Sequence, residues 1–496
     1  NTVYLKPQPK GKAQEKSGNV VKKLSGTVLD ENGEPAIGAT VQVKGTDTRV
    51  VTDLGGHYTI MTDDDDPVLQ LSYLGYKTQD VAVKNRDVVN ARMVVDTKVL
   101  NEVVVTALGI KRSEKSLSYN VQQVKADEIT NNKDANFVNS LSGKVAGVNV
   151  NASSGGTGSI SKVVMRGTKS IMQSSNALYV IDGVPMYTAN KGGSTEFGSQ
   201  GTTEPIADIN PEDIESMSVL TGAAAAALYG SEAANGAVII TTKKGDKGRV
   251  QLSYTNNTEF STPLVLPQFQ NRYGTGSMLQ PESTVMSWGR RLTGENNYNY
   301  QPKDDYFKTG LVEMNNISLS TGSAKNQTYA SVASVNSKGI VPNNTYDRYN
   351  FTVRNTTSML DDKMTLDFSA SYIHQNDKNM TNQGMYNNPL VGAYLFPRGR
   401  DWDDITMYER YSPSRKIYTQ YWPVGDAGMT MQNPYWINYR NLCTDKKDRF
   451  MLGTSLSYQV LSWLRASTQV RIDKTENKYQ KRFYATTNTQ LTELSD

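Results

Sequence analysis

From Gly248 onward the sequence consists of long segments in which apolar and polar residues alternate. In the first segment Val250, Leu252 and Tyr254 fall on one face, and the residues between them are polar. A period of two residues predicts β-strands with one apolar face. The predicted strands lie at residues 250–255, 315–322, 328–336, 349–358, 363–373, 449–460 and 463–472.

The connections between these predicted strands are unequal in length. Those at residues 322–327, 359–363 and 461–462 are short, whereas 261–314 and 374–447 are long, polar and rich in aromatic residues. Short turns on one side and long loops on the other are typical of a transmembrane antiparallel β-barrel with periplasmic turns and extracellular loops. A soluble sandwich would have more even connections.

The number of predicted strands is too small for a complete wide barrel. An eighth strand could start near Lys478, but eight strands do not enclose a domain, and plugged outer-membrane barrels have about 22 strands. We therefore expect the first seven or eight strands of such a barrel here, with roughly two-thirds of its strands beyond Asp496.

Residues 136–242 have a different sequence pattern, which predicts short apolar strands, Gly and Asn at turns, and an alanine-rich helix. Asp182-Gly183 predicts a hairpin turn. Thr221 is predicted to cap a helix over residues 223–227 that ends at Gly230. A further helix is predicted at 134–141, a helical turn at 211–214, and strands at 145–151, 162–166, 178–181, 216–220 and 237–242. This pattern predicts a compact α+β domain, which we interpret as filling the barrel.

The N-terminal part is predicted to be a small sandwich. Residues 23–95 contain about seven short alternating strands separated by turn signals such as Asn32-Gly33 and Gly55-Gly56, a count and spacing typical of an immunoglobulin-like fold. Residues 8–22 have the Pro, Gly, Lys and Gln composition of a linker. Residues 1–7 are interpreted as the tail of an upstream domain.

Residues 98–115 contain the Val-rich segment 103–106 between polar flanks. Two interpretations remain open on pattern alone. It could be one more strand of the sandwich, which the pattern slightly favours, or it could be a free strand that another protein binds by edge addition.

Composition and motifs exclude several classes of function. The formal net charge of +4 gives no sign of nucleic-acid binding, and no apolar stretch reaches the length of a membrane helix. His57 and His374 are the only histidines and Cys443 the only cysteine, so no internal disulfide and no zinc or Cys-His site is predicted. The glycines near residue 156 lack the third glycine of a dinucleotide loop. We predict no catalytic residues, no metal and no cofactor.

Aromatic residues in the long loops offer a binding surface. Trp288, Trp402, Tyr408 and Trp422 are the candidate substrate-binding residues, because aromatic rings stack on sugar faces or peptide side chains. The alternative is that they pack loop against loop or anchor the barrel in lipid. Further aromatic residues of the same loops are Tyr298, Tyr300, Tyr306, Tyr411, Tyr435 and Trp436.

Several motifs together resemble the SusC-like (SusC/RagA) TonB-dependent outer-membrane transporters of Bacteroidetes. The resemblance extends over nearly the full sequence, including NEVVVTALG at residues 101–109, GIVPNNTYDRYNF at 339–351 and SGTVLDENGEPAIGATVQVKGT at 25–46. In the central part it rests on LSGKVAGVNV, VVMRG, LYVIDGVP, INPEDIESMSVL and AAAALYGSEAANGAVIITTKKG. Two small departures are Thr221-Gly222, where the family often has Lys-Asp, and Glu232, where it often has Arg.

The resemblance implies a domain order. It assigns residues 23–97 to a carboxypeptidase-regulatory-like domain, 98–115 to the TonB box and linker, 116–247 to the plug, and 248–496 to an incomplete barrel. The implied TonB box is Asn101, Glu102, Val103, Val104, Val105 and Thr106. The implied plug motif residues are Arg166, Gly167, Asp182, Gly183, Pro185, Tyr229, Gly230, Asn235 and Gly236.

The resemblance also implies a function and a set of partners. It implies active import of oligosaccharides across the outer membrane, with TonB, ExbB and ExbD supplying energy and a SusD-like lipoprotein covering the barrel. Peptide import is the alternative within the family, and a passive pore or adhesin the alternative outside it. The N-terminal domains would be periplasmic, the barrel would contact outer-membrane lipid, and residues 1–7 could belong to a domain that signals to an anti-sigma factor.

Overall fold

The computed structural model describes residues 22–30, 33–64, 66–73, 76–94, 103–105, 111–113, 121–131, 133–153, 155–169, 175–186, 203–246, 248–277, 279, 286–424 and 431–487. The chain forms two compact units, one built on the residues before Val103 and one on those after Ser118. We describe each unit by itself.

The N-terminal unit is a β-sandwich. One sheet has the strand order β4-β1-β7 and the other β3-β2-β5-β6. Burial alternates along the strands, and Leu24, Val41, Ile60 and Leu71 are fully or almost fully buried between the sheets. The predicted seven-stranded sandwich is thereby confirmed. Its strands are β1 (Lys22–Leu29), β2 (Thr40–Val43), β3 (Arg49–Val51), β4 (His57–Thr62), β5 (Val68–Ser72), β6 (Gln79–Ala82) and β7 (Ala91–Arg92).

Short strands β8 (Val103–Val105) and β9 (Lys111–Ser113) form a separate two-stranded sheet. The described residues from 121 to 246, hereafter the central domain, form a five-stranded sheet in the order β10-β15-β16-β13-β14 and a separate pair β11-β12. These strands are β10 (Val121–Lys125), β11 (Val148–Ala152), β12 (Ser161–Met165), β13 (Leu178–Ile181), β14 (Val184–Met186), β15 (Ile214–Leu220) and β16 (Ala237–Thr242).

Most predicted elements of the central domain are confirmed. Asp182 and Gly183, with φ of 47° and 85°, form the predicted turn between β13 and β14. The alanine helix α2 (Gly222–Tyr229), which follows α1 (Ala126–Thr130), ends at Gly230 as predicted. Thr221 precedes α2 but makes no side-chain capping bond. The predicted helix at 134–141 is a shorter 3-10 helix, Phe137–Leu141, because the Asn136 side chain caps Val138 and starts the helix later.

Seven antiparallel strands, hereafter the large sheet, follow in chain order. They are β17 (Gly248–Ser261), β18 (Gly310–Gly322), β19 (Asn326–Lys338), β20 (Thr345–Met359), β21 (Met364–Lys378), β24 (Cys443–Leu461) and β25 (Leu464–Lys481). All seven predicted strands are therefore confirmed. The predicted eighth strand near Lys478 is wrong, because β25 continues its pairing with β24 as far as Lys481.

The short connections join β18 to β19, β20 to β21 and β24 to β25, as predicted. The long connections lie at the opposite ends of the strands. They contain the helices α3 (Pro302–Asp305), α4 (Pro389–Leu395), α5 (Asp403–Thr406) and α6 (Pro434–Arg440), and the hairpin β22 (Glu409–Ser412) and β23 (Ile417–Gln420).

The two faces of the large sheet have the reverse of the usual polarity. Its exposed face carries large apolar residues, among them Leu252, Val332, Val353 and Val470. Its other face buries charged and polar side chains against the central domain: Arg348, Asn350, Arg354, Asp367, Gln375, Lys447 and Arg449. Apolar outside and polar inside is the pattern of a lipid-facing barrel wall. Among the described residues no helix has the length and apolarity needed to cross a membrane.

Two glycines in one turn region give a test of central-domain packing. At Gly236, φ is +107° and an added Cβ would overlap the Met165 sulfur, whereas at Gly230, φ is +78° with nothing within 4 Å. We expect Gly230→Ala to cost about 1–3 kcal/mol through backbone conformation alone, because its ψ of −163° lies in a region that essentially only glycine adopts. Gly236→Ala should cost about 1–3 kcal/mol more than that, because overpacking against Met165 adds to the backbone cost. Hydrogen exchange of the β16 amides measures both, and equal losses would contradict the packing argument.

Candidate functional site between the central domain and the large sheet

Residues 203–214, hereafter the docking segment, carry the central domain's main contact with the large sheet. Two 3-10 helices form in it, Pro205–Asp208 and Pro211–Asp213, each beginning with a proline that needs no backbone partner for its nitrogen. The Asn210 side chain caps the second helix by accepting from Glu212 N. Nearly all of the segment is buried.

A buried carboxylate lies at the centre of this contact. Asp208 is 0% exposed and accepts from Lys447 Nζ at 2.8 Å and Arg449 NH1 at 2.9 Å, both on β24. Arg449 also pairs with Asp473 on β25 at 2.7 Å. Two carboxylates thus balance two cations, which is the condition under which buried charges are tolerated.

Further hydrogen bonds extend the contact along the wall. Arg348 donates to the carbonyl oxygens of Ala135, at 3.0 Å, and Ala207. Asn350 Nδ2 donates to Asp208 O at 2.6 Å, and Tyr329 OH donates to Asp213 Oδ1 at 2.9 Å. Side chains of the sheet therefore satisfy backbone carbonyls that short 3-10 helices leave without partners.

A second contact lies at the end of the β13–β14 hairpin. Arg354 on β20 binds Asp182 at 3.2 Å and Asp367 at 2.9 Å, and it also donates to Thr242 Oγ1. Lys244 binds Asp367 at 2.6 Å. A cavity of about 80 Å³ separates this contact from the docking segment, which is room for roughly two or three water molecules.

Glu204 is the group of the docking segment whose pKa lies near neutral pH; burial also raises the pKa of Asp213 above its usual value. Glu204 is 2% exposed and accepts from Asn136 Nδ2 and Ser161 N, both at 3.1 Å. Burial raises the pKa of its carboxyl to about 7, and the charge on Asp208 contributes in the same direction, while the two hydrogen bonds and Lys447 act in the opposite direction. The Glu204 carboxyl in this contact therefore takes up a proton near neutral pH.

The structure places the expected TonB box only in part. Val103, Val104 and Val105 form the short strand β8, whereas Asn101, Glu102 and Thr106 lie outside the described residues. The assignment of residues 101–106 as a TonB box stays a prediction.

The expected plug motif residues lie mostly in turns of the central domain, with Pro185 in strand β14 and Tyr229 in helix α2. Arg166 and Gly167 have positive φ, as do Gly230 and Gly236. Pro185 pairs with Val180 in the hairpin. Tyr229 ends α2 and Asn235 follows it, before β16. Asp182 is the motif residue that contributes an ion pair to the contact with the large sheet.

The candidate substrate-binding residues separate into two groups. Trp402 is 5% exposed and stacks on Tyr300 with ring centroids 4.2 Å apart. Tyr408 stacks on Tyr439, and Trp422 contacts Phe396. The position of Trp402 agrees with the loop-packing alternative, and its role in substrate binding stays a prediction. Trp288 is 72% exposed and available to a ligand.

The charged residues of the contact are not among those predicted from the sequence. Lys447 and Arg449 alternate on one strand, and Asp208 lies between two prolines in the docking segment. Cationic side chains on the polar face of a predicted barrel strand were the sequence signal for this contact, because the polar face of a barrel strand points into the lumen. Among the described residues no group of three or more His, Cys, Asp or Glu side chains is placed to hold a metal ion.

Removing the central carboxylate tests the contact. We expect Asp208→Asn to lower the free energy of unfolding by roughly 3 kcal/mol, because Lys447 and Arg449 would stay buried without their counter-charge. The control is Asp404→Asn, which removes the exposed pair with Arg410 at 4.0 Å and should cost less than about 1 kcal/mol. Denaturant unfolding of the purified protein measures both, and similar losses would refute the central role of Asp208.

The raised pKa of Glu204 predicts a pH dependence. The folded protein binds this proton up to about pH 7, against 4.5 for the free group, so the contribution is present below 4.5 and is lost as the pH rises through 7. It amounts to about 3 kcal/mol at most. Melting temperatures at pH 5 and pH 8 should differ in the unaltered protein and converge in Glu204→Gln. An unchanged difference in the variant would assign the pH dependence to other groups.

Comparison with known proteins places these domains in a family. Residues 113–237 match the TonB-dependent Receptor Plug Domain and residues 24–105 the CarboxypepD_reg-like domain. The TonB-dependent receptor SusC of Bacteroides thetaiotaomicron is 32% identical over 357 residues, covering 71% of this chain and 34% of the relative. The TonB-dependent receptor P3 of Formosa agariphila is 29% identical over 466 residues, covering 92% of this chain and 42% of the relative.

Solved structures agree on the fold. The RagAB peptide importer in its "open-open" state superposes with a TM-score of 0.57 at 22% identity, covering 76% of this chain and 43% of that chain. The chain thus spans about a third to less than half of the length of the proteins it matches. TonB-dependent receptors of this kind are outer-membrane proteins. The domain matches, the relatives and the fold together show that this chain belongs to the SusC-like TonB-dependent receptors.

Proposed function

We propose that the protein imports an oligomeric solute across the outer membrane and that TonB supplies the energy. The observation that carries this proposal is the polar character of the contact between the central domain and the large sheet. Asp208, Lys447 and Arg449 form charged hydrogen bonds there, in a contact that water can replace group by group when the central domain is pulled. A contact made of apolar side chains would instead resist hydration along its whole area.

TonB would bind and pull on the segment from Asn101 to Thr106. Strand addition to TonB uses backbone groups, so an extended Val-rich segment suffices. Strand β8 within it is already extended. TonB, with ExbB and ExbD, would transmit the energy of the inner-membrane proton gradient through this strand to the central domain.

The long loops support a partner and a cargo on the opposite side. They share an apolar core around Tyr306, Trp402 and Ile405, which gives a SusD-like lipoprotein a firm surface to close upon. Trp288, exposed at 72%, favours an oligosaccharide cargo because its ring can stack on a sugar face. Peptides are the second candidate cargo, as the structural neighbour RagAB is a peptide importer.

A proline in the TonB box tests the energy coupling. We expect Val104→Pro to abolish energised uptake, because proline removes one backbone donor and restricts the residue before it. Val104→Ile, which keeps the backbone and the strand propensity, should transport normally. Uptake of labelled nutrient by cells carrying either variant, with ligand capture at the surface measured alongside, distinguishes coupling from binding.

The passive-pore alternative predicts a different outcome. If Val104→Pro supports uptake at the unaltered rate, and uptake also persists without TonB, the energised mechanism is wrong. Loss of surface capture by Val104→Pro, with normal capture by the Val104→Ile control, would instead mean that the proline damaged assembly.

A further inference from the structure

Two segments of the connection between β17 and β18 pair with each other. They are residues 270–276 and 286–292, hereafter the aromatic ladder. Tyr273 on the first segment pairs with Arg291 on the second, so their side chains lie next to each other. The segments approach closely at Gly289, where an added Cβ would overlap a backbone carbonyl of the first segment. A glycine at this position is therefore required for the pairing.

A single side chain fixes the backbone of the aromatic ladder. Gln270 Oε1 accepts from Arg272 N and Tyr273 N, both at 2.9 Å. Gln270 Nε2 donates to Tyr273 O at 2.7 Å and to Ser287 O at 3.2 Å. One amide group thus ties the two segments together. Side chains on such a backbone are preorganised, so less entropy is lost when a ligand binds them.

The aromatic ladder presents two rings to solvent. Trp288 is 72% exposed and Tyr273 is 38% exposed. Their ring centroids lie 6.1 Å apart and their planes are tilted by 42°. Exposed aromatic rings on a fixed backbone are typical of binding surfaces, because they supply a large contact area with few rotatable bonds. A ligand with a flat apolar face, such as a sugar ring, would cover these rings.

Three arginines accompany the two rings. Arg272, Arg290 and Arg291 each lie within three residues of one of them in the chain, and all three are exposed. None of the three forms an ion pair within the part of the chain that the structure describes. Glu295 is the one acidic residue among the described residues from 262 to 300. Guanidinium groups bind carboxylate or sulfate oxygens with paired hydrogen bonds, so this excess of cations favours an anionic ligand.

We propose that the aromatic ladder binds an acidic oligosaccharide. A sugar ring would cover Trp288 and Tyr273, and a carboxylate or sulfate group of the sugar would pair with the arginines. This inference rests on the proposed import function and narrows its cargo from oligosaccharides in general to those that carry negative charge. The rings alone would accept neutral sugars too, so the arginines set the preference. An acidic peptide would supply the charge but not the ring face.

Calorimetry on the purified protein tests the proposal with matched probes. These are hexagalacturonate and its methyl ester, a sulfated hexasaccharide and its desulfated form, and hexaglutamate. We expect at least one acidic sugar to bind and its neutral form to bind about tenfold more weakly, the effect of losing one charge-assisted contact. Hexaglutamate should bind more weakly than that sugar. The affinity for the acidic sugar should fall with added salt, because exposed charges are screened.

Substitutions place the binding at the aromatic ladder. Arg291→Gln should weaken the acidic sugar about tenfold and leave its neutral form unchanged. Trp288→Ala should weaken both forms, because both use the ring. The control is Lys303→Gln, which removes the same charge from an exposed residue of the same connection, in helix α3 outside the ladder. This control should bind every probe as the unaltered protein does.

Three results would each overturn the proposal. They are equal affinity for the acidic and neutral forms, binding of hexaglutamate as tight as that of the acidic sugars, and equal losses in Arg291→Gln and Lys303→Gln. Failure of both acidic sugars to bind would overturn it as well. TonB-dependent uptake that survives any of these results would leave the import function intact, because energy coupling is measured independently at Val104.

Discussion

The buried carboxylate of Asp208 is the constraint on which the second unit depends. A carboxylate inside a protein is tolerated only when cations and donors surround it, and here Lys447 and Arg449 supply both. Arg449 in turn needs Asp473, so the balance of charge extends over two strands of the sheet. The docking segment must present Asp208 at one place on the wall, which explains why two proline-initiated turns fix its backbone.

The reversed polarity of the large sheet follows from the same constraint. One face exposes Leu252, Val353 and Val470, which water solvates poorly. The other buries charged side chains that need the central domain as a partner. Neither face is favourable in water: the apolar face is typical of a wall that contacts lipid, and the polar face is buried against the central domain. A soluble sheet would put its apolar face inward and gain nothing from a polar partner.

Sequence alone predicted elements whose signals are local. Alternation from Val250 onward is a local signal, and so is the Asp182-Gly183 turn, because each depends on neighbours in the chain. The ion pairs of Asp208 could not be predicted in this way, since their partners lie more than 200 residues away. Trp402 illustrates the same limit. Its loop position suggested exposure, but contacts with Tyr300 and Phe396 bury it.

The extent of strand β25 and the short helix after Asn136 show a second limit. Alternation does not show where a strand ends, so it predicts a new strand near Lys478 although β25 stays paired with β24 as far as Lys481. The cap at Asn136 shortened the helix because one side-chain bond to Val138 decides its first turn. Boundaries depend on single hydrogen bonds, which a pattern averaged over several residues does not resolve.

The stack of Tyr300 on Trp402 has a mechanical consequence. Tyr300 belongs to the connection between β17 and β18, and Trp402 to the one between β21 and β24. Val341, from the β19–β20 connection, is buried in the same cluster. Three segments that are far apart in the chain thus share one apolar core, and separating any of them would expose it to water. We therefore expect these segments to move together, so that a displacement of one would be transmitted to the others.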